Sequence, residues 1–185
     1  MKLVVGLGNP GRKYDGTRHN VGYMVLAELS RRAGSPGVKK AFQGELADLS
    51  IGSERVLLLW PHTYMNRSGA SLLAARDFYK LDNNDVLVVC DDFNLPLGKL
   101  RCRPQGSAGG QKGLADVIRV LGTEEVPRLR VGIGEAPQGW NAADFVLARF
   151  TKQDQPIVDE AMVRASEGVE TWVRHGIQKC MNEFN

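Results

Sequence analysis

The sequence has no long hydrophobic run. Nothing in it approaches the roughly 18 to 20 consecutive apolar residues that a bilayer-spanning helix needs. The apolar run Leu3–Val5 is too short to serve as the core of a signal peptide. We therefore expect a protein that makes no membrane contact and remains in the cytoplasm, where it is synthesised.

Cysteine and histidine are scarce, with three of each in 185 residues. Cys90, Cys102 and Cys180 form neither a CxxC pair nor an even-numbered disulfide framework, which favours a reducing compartment. The histidines show no paired ligand spacing, so we expect neither a zinc or iron site nor any other cofactor. His62 and His175 also lack polar motifs around them, and we interpret both as structural.

Length and charge set the remaining limits. A chain of 185 residues that is 43% hydrophobic can build one core, so residues 1–185 are expected to form a single domain. The net charge of +3 permits a polyanionic partner but is weak support for one. The placement of the charges along the chain is more informative than their sum.

Predicted strands alternate with predicted helices along the whole chain. Six segments have the composition of strands, and four have helical periodicity. The strands are expected at 3–5, 45–49 with 55–60 as a hairpin, 85–90, 100–103 and 129–133, and the helices at 20–33, 68–81, 114–121 and 154–173. This order predicts an α/β fold, a three-layer α/β/α sandwich around a twisted mixed β-sheet.

A glycine-rich turn follows the first strand. Gly6–Gly11 reads Gly-Leu-Gly-Asn-Pro-Gly and matches the G-x-G-x-x-G fingerprint of dinucleotide-binding folds. That function requires a helix N-terminus within the motif, whereas helical periodicity begins only near Val21 and Glu28 falls within a helix instead of ending a second strand. A nicotinamide enzyme is therefore disfavoured, and a simple chain turn remains an alternative.

Four polar clusters follow predicted strands or strand-end turns. Loops at the carboxyl ends of strands converge on one crevice in an open α/β sheet, so an imidazole, a carboxylate and amide groups are expected to meet there. The clusters are Asn9 with Tyr14 and His19, Tyr64–Asn66, Asp91–Asp92 and Gly109–Gly113.

Several motifs in register together resemble the bacterial peptidyl-tRNA hydrolase family, and the resemblance covers nearly the whole chain. The motifs are Gly-Leu-Gly-Asn-Pro-Gly at 6–11, Thr-Arg-His-Asn at 17–20, Tyr-Met-Asn at 64–66, Asp-Asp at 91–92 with Leu-Pro at 95–96, the glycine-rich 106–113 and Arg-Leu-Arg-Val-Gly-Ile-Gly at 128–134. The resemblance implies a hydrolase that cuts the ester between a peptide and the 3′ end of tRNA. It further implies a monomer that contacts the acceptor stem, the CCA end and the peptide.

The resemblance also implies roles for individual residues. His19 would activate the attacking water, and Asp91 would orient and polarise His19. Because an imidazole titrates near neutral pH, it can accept a proton there, and a carboxylate partner fixes its tautomer. Asn9 and Asn66 match positions whose amides hold the substrate and the water near the scissile carbonyl.

Other matched positions are expected to line the pocket or to contact RNA. Tyr14 and Met65 match pocket-lining positions, although Met65 would also fit an ordinary core methionine. Arg103 and Arg130 match positions that clamp the terminal 5′ phosphate of tRNA. Lys99 and Arg101 alternate with Arg103 along one predicted strand face and would extend a phosphate track or simply solvate an edge strand. The last helix resembles the family's lid over the peptide side of the cleft.

One position departs from the family pattern. The family usually carries asparagine immediately before the glycine at position 113, and this chain has Lys112. Lysine donates hydrogen bonds but accepts none, so an accepting role there would be lost unless Gln111 supplies it. The alternative is therefore a non-catalytic RNA-binding relative with the same fold, such as an organellar splicing factor.

Overall fold

A seven-stranded sheet forms the centre of the molecule, whose computed structural model describes residues 1–185. Its strand order is β2-β3-β4-β1-β5-β7-β6. Pairing is parallel among the four central strands and antiparallel for the outer ones, which confirms a mixed sheet. The strands are β1 (Lys2–Gly6), β2 (Val38–Ala41), β3 (Gly44–Ile51), β4 (Glu54–Pro61), β5 (Val86–Asp92), β6 (Leu100–Arg103) and β7 (Arg128–Gly132).

Helices cover both faces of this sheet. Contacts pair α1 with α5, and α2 with α3, and two separate apolar clusters lie under the two pairs. The helices are α1 (Val21–Arg32), α2 (Ser68–Tyr79), α3 (Lys112–Leu121), α4 (Ala142–Leu147) and α5 (Gln155–Phe184). The three-layer α/β/α sandwich is confirmed. None of the helices combines the length and the apolar character that crossing a bilayer requires.

The central strands are apolar on both sides because both sides are covered. In β1, Leu3 and Val5 pack under α2 and α3, whereas Val4 belongs to the cluster under α1 and α5. Side chains alternate between faces along a strand, so one Leu-Val-Val run contributes to both cores. This arrangement fixes the position of the strand ends that carry the polar residues.

The glycine-rich turn after β1 is a packing feature. A Cβ atom added to Gly6 would lie 2.4 Å from the carbonyl oxygen of Gly22, and one added to Gly22 would lie 2.5 Å from the backbone nitrogen of Leu7. The two glycines therefore let α1 approach β1 closely. Because α1 begins only at Val21, its N-terminus does not lie within the motif as a dinucleotide site requires.

Two elements escaped prediction, and one was too short. β2 is a Val-Lys-Lys-Ala edge strand held by backbone pairing to β3, without the apolar alternation that signals a strand. The six-residue α4 carries few periodic positions. The prediction ended the last helix at Val173, but it runs to Phe184, with non-helical backbone at Gly176, where φ is 81°.

The end of α5 closes the β6 edge of the sheet. The backbone nitrogen of Cys102 donates to Oδ1 of Asn185 at 2.6 Å, and Nδ2 of Asn185 donates to the Cys102 carbonyl at 3.3 Å. The sulfur atoms of Cys102 and Cys180, remote in sequence, lie 2.6 Å apart. These contacts cover an edge strand that would otherwise expose unpaired backbone groups.

Candidate active site

A cleft of about 620 Å³ opens where β1 and β5 end. It brings together six of the predicted site residues, namely Asn9, His19, Met65, Asn66, Asp91 and Lys112, and Tyr64 of the predicted polar cluster 64–66 also lines it. Gly110, Gln111 and Phe93 complete one wall, and Asn141 with α4 forms the other. The predicted lid is therefore wrong in one respect, because α4 and not the last helix lines this cleft.

His19 and Asp91 form a buried pair at the base of the cleft. His19 lies in a short 3-10 turn (Arg18–Asn20) before α1, and Asp91 lies near the end of β5. Nδ1 of His19 is 2.9 Å from Oδ1 and 2.8 Å from Oδ2 of Asp91. Asp91 is only 1% exposed. An ionised carboxylate only accepts hydrogen bonds, so Nδ1 carries a proton, and in the neutral imidazole Nε2 keeps its lone pair. Nε2 makes no hydrogen bond within the protein, which leaves it available to a water molecule.

Arg18 anchors the turn that carries His19. Its guanidinium lies 4.5 Å from the Phe145 ring and 5.1 Å from the Phe150 ring, and Nη1 donates to the Arg149 carbonyl at 2.7 Å. Burial lowers the pKa of Arg18, and Asp154 partly opposes that shift. The arginine thus joins the histidine turn to the segment around α4, on the far wall of the cleft.

Two asparagines fix the glycine-rich turn 6–11, which lies beside His19. The Asn20 amide pairs with the backbone of Asn9, accepting from its nitrogen at 2.9 Å and donating to its oxygen at 3.0 Å. Oδ1 of Asn9 in turn accepts from the backbone nitrogen of Met65 at 2.8 Å. The Nδ2 group of Asn9 has no partner within the protein, so this amide is free to donate a hydrogen bond in the cleft.

Asn66 extends from a strained turn into the cleft. Tyr64, two residues before Asn66, has a φ of 59°, which is unusual for a bulky residue. It is the N-cap of the short 3-10 turn Met65–Arg67. The Asn66 side chain is exposed and makes no hydrogen bond within the protein. Tyr14 lies outside the cleft lining and packs edge-on against Tyr64, with ring centroids 6.5 Å apart. Met65 is buried between the lining and the core.

Gln111 and Lys112 begin α3 and differ in their surroundings. Oε1 of Gln111 caps the helix by accepting from the backbone nitrogen of Leu114 at 2.6 Å. Nε2 of Gln111 donates to Oδ1 of Asp91 at 3.0 Å. Gln111 therefore does not turn its oxygen to the cleft as a substitute acceptor. Lys112 is exposed, lines the cleft and has no ion-pair partner.

The chain matches the family model described as peptidyl-tRNA hydrolase over residues 3–185. The chain belongs to the peptidyl-tRNA hydrolase family. A peptidyl-tRNA hydrolase from Rhodopirellula baltica is 52% identical over 186 residues, covering all of this chain and 97% of the relative. One from Desulforamulus reducens is 45% identical, covering all of this chain and 89% of the relative. The crystal structure of peptidyl-tRNA hydrolase from Acinetobacter baumannii superposes with a TM-score of 0.93 at 33% identity, covering 100% of this chain and 94% of that one.

The arginines predicted to contact tRNA in this family member sit in two different environments. Arg101 pairs across the sheet with Arg130, and Arg103 with Arg128. Arg101 is exposed and Arg103 half-buried, with Nη1 of Arg103 donating to the neighbouring Cys102 carbonyl at 3.0 Å. Lys99 is exposed just before β6.

Arg130 is already engaged within the protein. Its Nη1 donates to Oδ2 of Asp92 at 3.1 Å, and its Nη2 donates to the Ser107 carbonyl at 2.6 Å. Arg128 is buried, and its guanidinium donates to backbone carbonyls only, including those of Gly106 and Ser107. Burial lowers the pKa of Arg128. Both arginines therefore hold the glycine-rich loop 106–110. Because the positive charge of Arg130 is paired with Asp92, Arg130 should attract a phosphate less strongly than an unpaired arginine would.

Four contributions to the site escaped the sequence analysis. Arg18 and Asn20 stood inside a recognised motif, but only the fold shows what they contact. The roles of Gln111 and Arg128 depend on contacts with residues about 20 positions away along the chain. From the sequence, Gln111 was expected only as a possible acceptor in place of the family's asparagine, whereas its oxygen caps α3 and its NH₂ group donates to Asp91.

Proposed function

We propose that this chain hydrolyses the ester between a peptide, or an N-blocked amino acid, and the 3′ end of tRNA, with His19 as the general base. The observation that carries the proposal is the buried His19–Asp91 pair at the base of a cleft, with Nε2 of His19 free of protein partners. Relatives named peptidyl-tRNA hydrolase over the full chain length support the same reaction. Release of free tRNA from an N-blocked aminoacyl-tRNA tests it, and binding without release would favour the non-catalytic alternative.

Proton transfer through His19 balances the reaction. Nε2 takes a proton from water as the water oxygen bonds to the ester carbonyl carbon, forming a tetrahedral oxyanion. Asp91 stabilises the imidazolium that results. The C–O bond to the ribose then breaks, the imidazolium returns the proton to the departing 3′ oxygen, and the peptide leaves as a carboxylic acid. A positioned base of this kind contributes on the order of 10² to 10⁴ in rate.

Three donors line the cleft in which the ester carbonyl is proposed to lie. Asn9 presents Nδ2, Asn66 presents an unpaired amide, and Lys112 presents an ammonium group at the start of α3. Donors directed at a developing oxyanion are each worth about 10² to 10³ in rate. We assign Asn9 and Asn66 to holding the substrate and the water, and Lys112 to the oxyanion or a nearby phosphate.

We propose that the acceptor end of tRNA lies along β6. Arg103 and Arg130 are proposed to contact the 5′ phosphate. Arg101 and Lys99, which are both exposed, would extend the positive charge along the same edge of the sheet. Since Arg130 is paired with Asp92, Arg103 is expected to supply more of the phosphate attraction. We further propose that the enzyme works as a monomer in the cytoplasm.

Substrate affinity is expected to fall with added salt, because each neutralised phosphate releases counterions. Arg103→Ala should flatten the slope of log affinity against log salt by about one unit. Binding of non-hydrolysable N-acyl-aminoacyl-tRNA between low and physiological salt measures it. Arg174→Ala is the matched control, since Arg174 is an exposed arginine on α5 outside the cleft. An unchanged slope for Arg103→Ala would show that Arg103 does not reach the RNA backbone.

Replacing Lys112 tests whether lysine has taken over a donor role. Lys112→Ala should lower kcat/KM by roughly 5- to 150-fold, the range for losing a charge-assisted hydrogen bond. Lys112→Asn should be nearly neutral, because an amide also donates there. A gain of about 10² from Lys112→Asn would instead indicate a decayed site in a binding protein.

A further inference from the structure

The Gln111 side chain lies between α3 and the catalytic carboxylate. It is 5% exposed, with Oε1 accepting from the Leu114 backbone at 2.6 Å and Nε2 donating to Oδ1 of Asp91 at 3.0 Å. Nε2 also lies 3.1 Å from the sulfur of Met65. The amide therefore joins the first turn of a helix to the group that orients His19.

The neighbours of the Gln111 side chain determine where its amide oxygen and its NH₂ group lie. The group of Leu114 that contacts the amide is its backbone N–H, which only donates, so it must face the amide oxygen. The Asp91 carboxylate offers only acceptors, so it must face the NH₂ group. Turning the amide over would place two donors together and two acceptors together, and both arrangements would lose a buried hydrogen bond. The helix cap thus holds the donor toward Asp91.

We propose that Gln111 is a positioning residue that fixes the Asp91 carboxylate for its task of orienting His19; this rests on the catalytic role proposed above. His19 Nδ1 approaches both oxygens of Asp91 almost equally, at 2.9 and 2.8 Å, so this contact alone leaves the carboxylate plane poorly defined. Gln111 supplies a second donor to Oδ1 only and removes that freedom. An amide does not titrate, so it remains a donor across the whole working pH range.

The electrostatic surroundings of this contact are simple. Four titratable side chains line the cleft, namely His19, Tyr64, Asp91 and Lys112. Asp92, next along β5, is paired with Arg130, and Asp154 is paired with Arg18. A new carboxylate at position 111 would therefore act chiefly on Asp91 and His19.

Two substitutions separate the two ends of the amide. Gln111→Glu keeps an oxygen to cap α3 and removes the donor to Asp91, whereas Gln111→Met removes both. We expect kcat to fall roughly 10- to 100-fold in both variants, with KM within about twofold, because a hydrogen bond to a charged group is lost. The melting temperature should fall by about 2 to 4 °C for Gln111→Met, which loses the helix cap, and should fall as well for Gln111→Glu, because its carboxylate would lie buried beside that of Asp91.

The pH profile tests whether position 111 is coupled electrostatically to the His19–Asp91 pair. The added charge of Gln111→Glu stabilises the imidazolium, so the acid limb of kcat/KM should move to higher pH. Gln155→Glu is the matched control, because Nε2 of Gln155 also donates to an aspartate, Asp159 at 2.7 Å, but on the exposed face of α5. Its profile should coincide with that of wild type. A Gln111→Glu profile that also coincides, with normal kcat, would overturn the proposal and leave Gln111 as a helix cap.

A spectroscopic readout keeps this test independent of turnover. The Nδ1 proton resonance of His19 in ¹⁵N-labelled protein should shift and exchange faster with solvent in Gln111→Glu, and remain unchanged in Gln155→Glu. If the wild type released no tRNA, the proposed function would fail, yet this resonance would still report whether Gln111 orders the pair. An unaltered resonance in Gln111→Glu contradicts the proposal regardless of activity.

Discussion

Replacing His19 with alanine is expected to lower turnover of N-acyl-aminoacyl-tRNA by at least about 10² while tRNA binding stays within about twofold. The substitution removes the only imidazole in the cleft lining and none of the residues proposed to contact phosphate. Single-turnover release of tRNA at saturating enzyme gives the chemical step, and filter binding of deacylated tRNA gives the affinity. His19 should therefore affect kcat and leave binding nearly unchanged.

A second histidine provides the control. His175 is exposed on α5 outside the cleft lining, so His175→Ala should turn over at the wild-type rate. Near-normal turnover in His19→Ala would remove His19 from the mechanism. A parallel loss of tRNA affinity would point to a binding role for His19.

Replacing Asp91 with asparagine should lower turnover by about 10² to 10⁴ for a different reason. An asparagine in this position can turn its NH₂ group toward Nδ1 of His19. The imidazole would then carry its proton on Nε2 and present no lone pair to water. The side chain keeps its size and its contact with Gln111, so the fold should survive.

The controls for Asp91→Asn concern stability and position. Asp159→Asn, an exposed substitution on α5, should leave both turnover and the melting temperature unchanged. Because the loss arises from the wrong tautomer, raising the pH should not restore the rate of Asp91→Asn. Recovery of full activity at high pH would show that Asp91 only shifts the titration of His19.

The sequence predicted the elements whose apolar residues follow a simple period. β1, β4 and β5 are covered on both faces and read as continuous apolar runs, and α1 and α2 show helical spacing. β2 could not be predicted in this way, because two lysines occupy an edge strand that is defined only by its backbone partner. The C-terminal extension of α5 was missed because Gly176 resembles a helix stop, although the chain beyond it packs back on the core.

The site was predictable to the level of residue identity and not of hydrogen bonding. Motifs at strand ends indicated that His19, Asp91, Asn9 and Asn66 would meet. They could not show that Oδ1 of Asn9 is occupied by the Met65 backbone, or that Arg130 is paired with Asp92. Such contacts join residues 38 to 56 positions apart, and their geometry depends on how the helices and loops pack.

The most direct test of the account is the rate of free tRNA release from N-acetyl-aminoacyl-tRNA by the wild-type chain, measured with and without excess EDTA. The proposed mechanism assigns the activation of water to the buried His19–Asp91 pair alone. We predict multiple turnovers at the same rate in both conditions, with His19→Ala slower by at least about 10² in each. Activity lost in EDTA and restored by zinc, or no release at all from tightly bound substrate, would contradict the account.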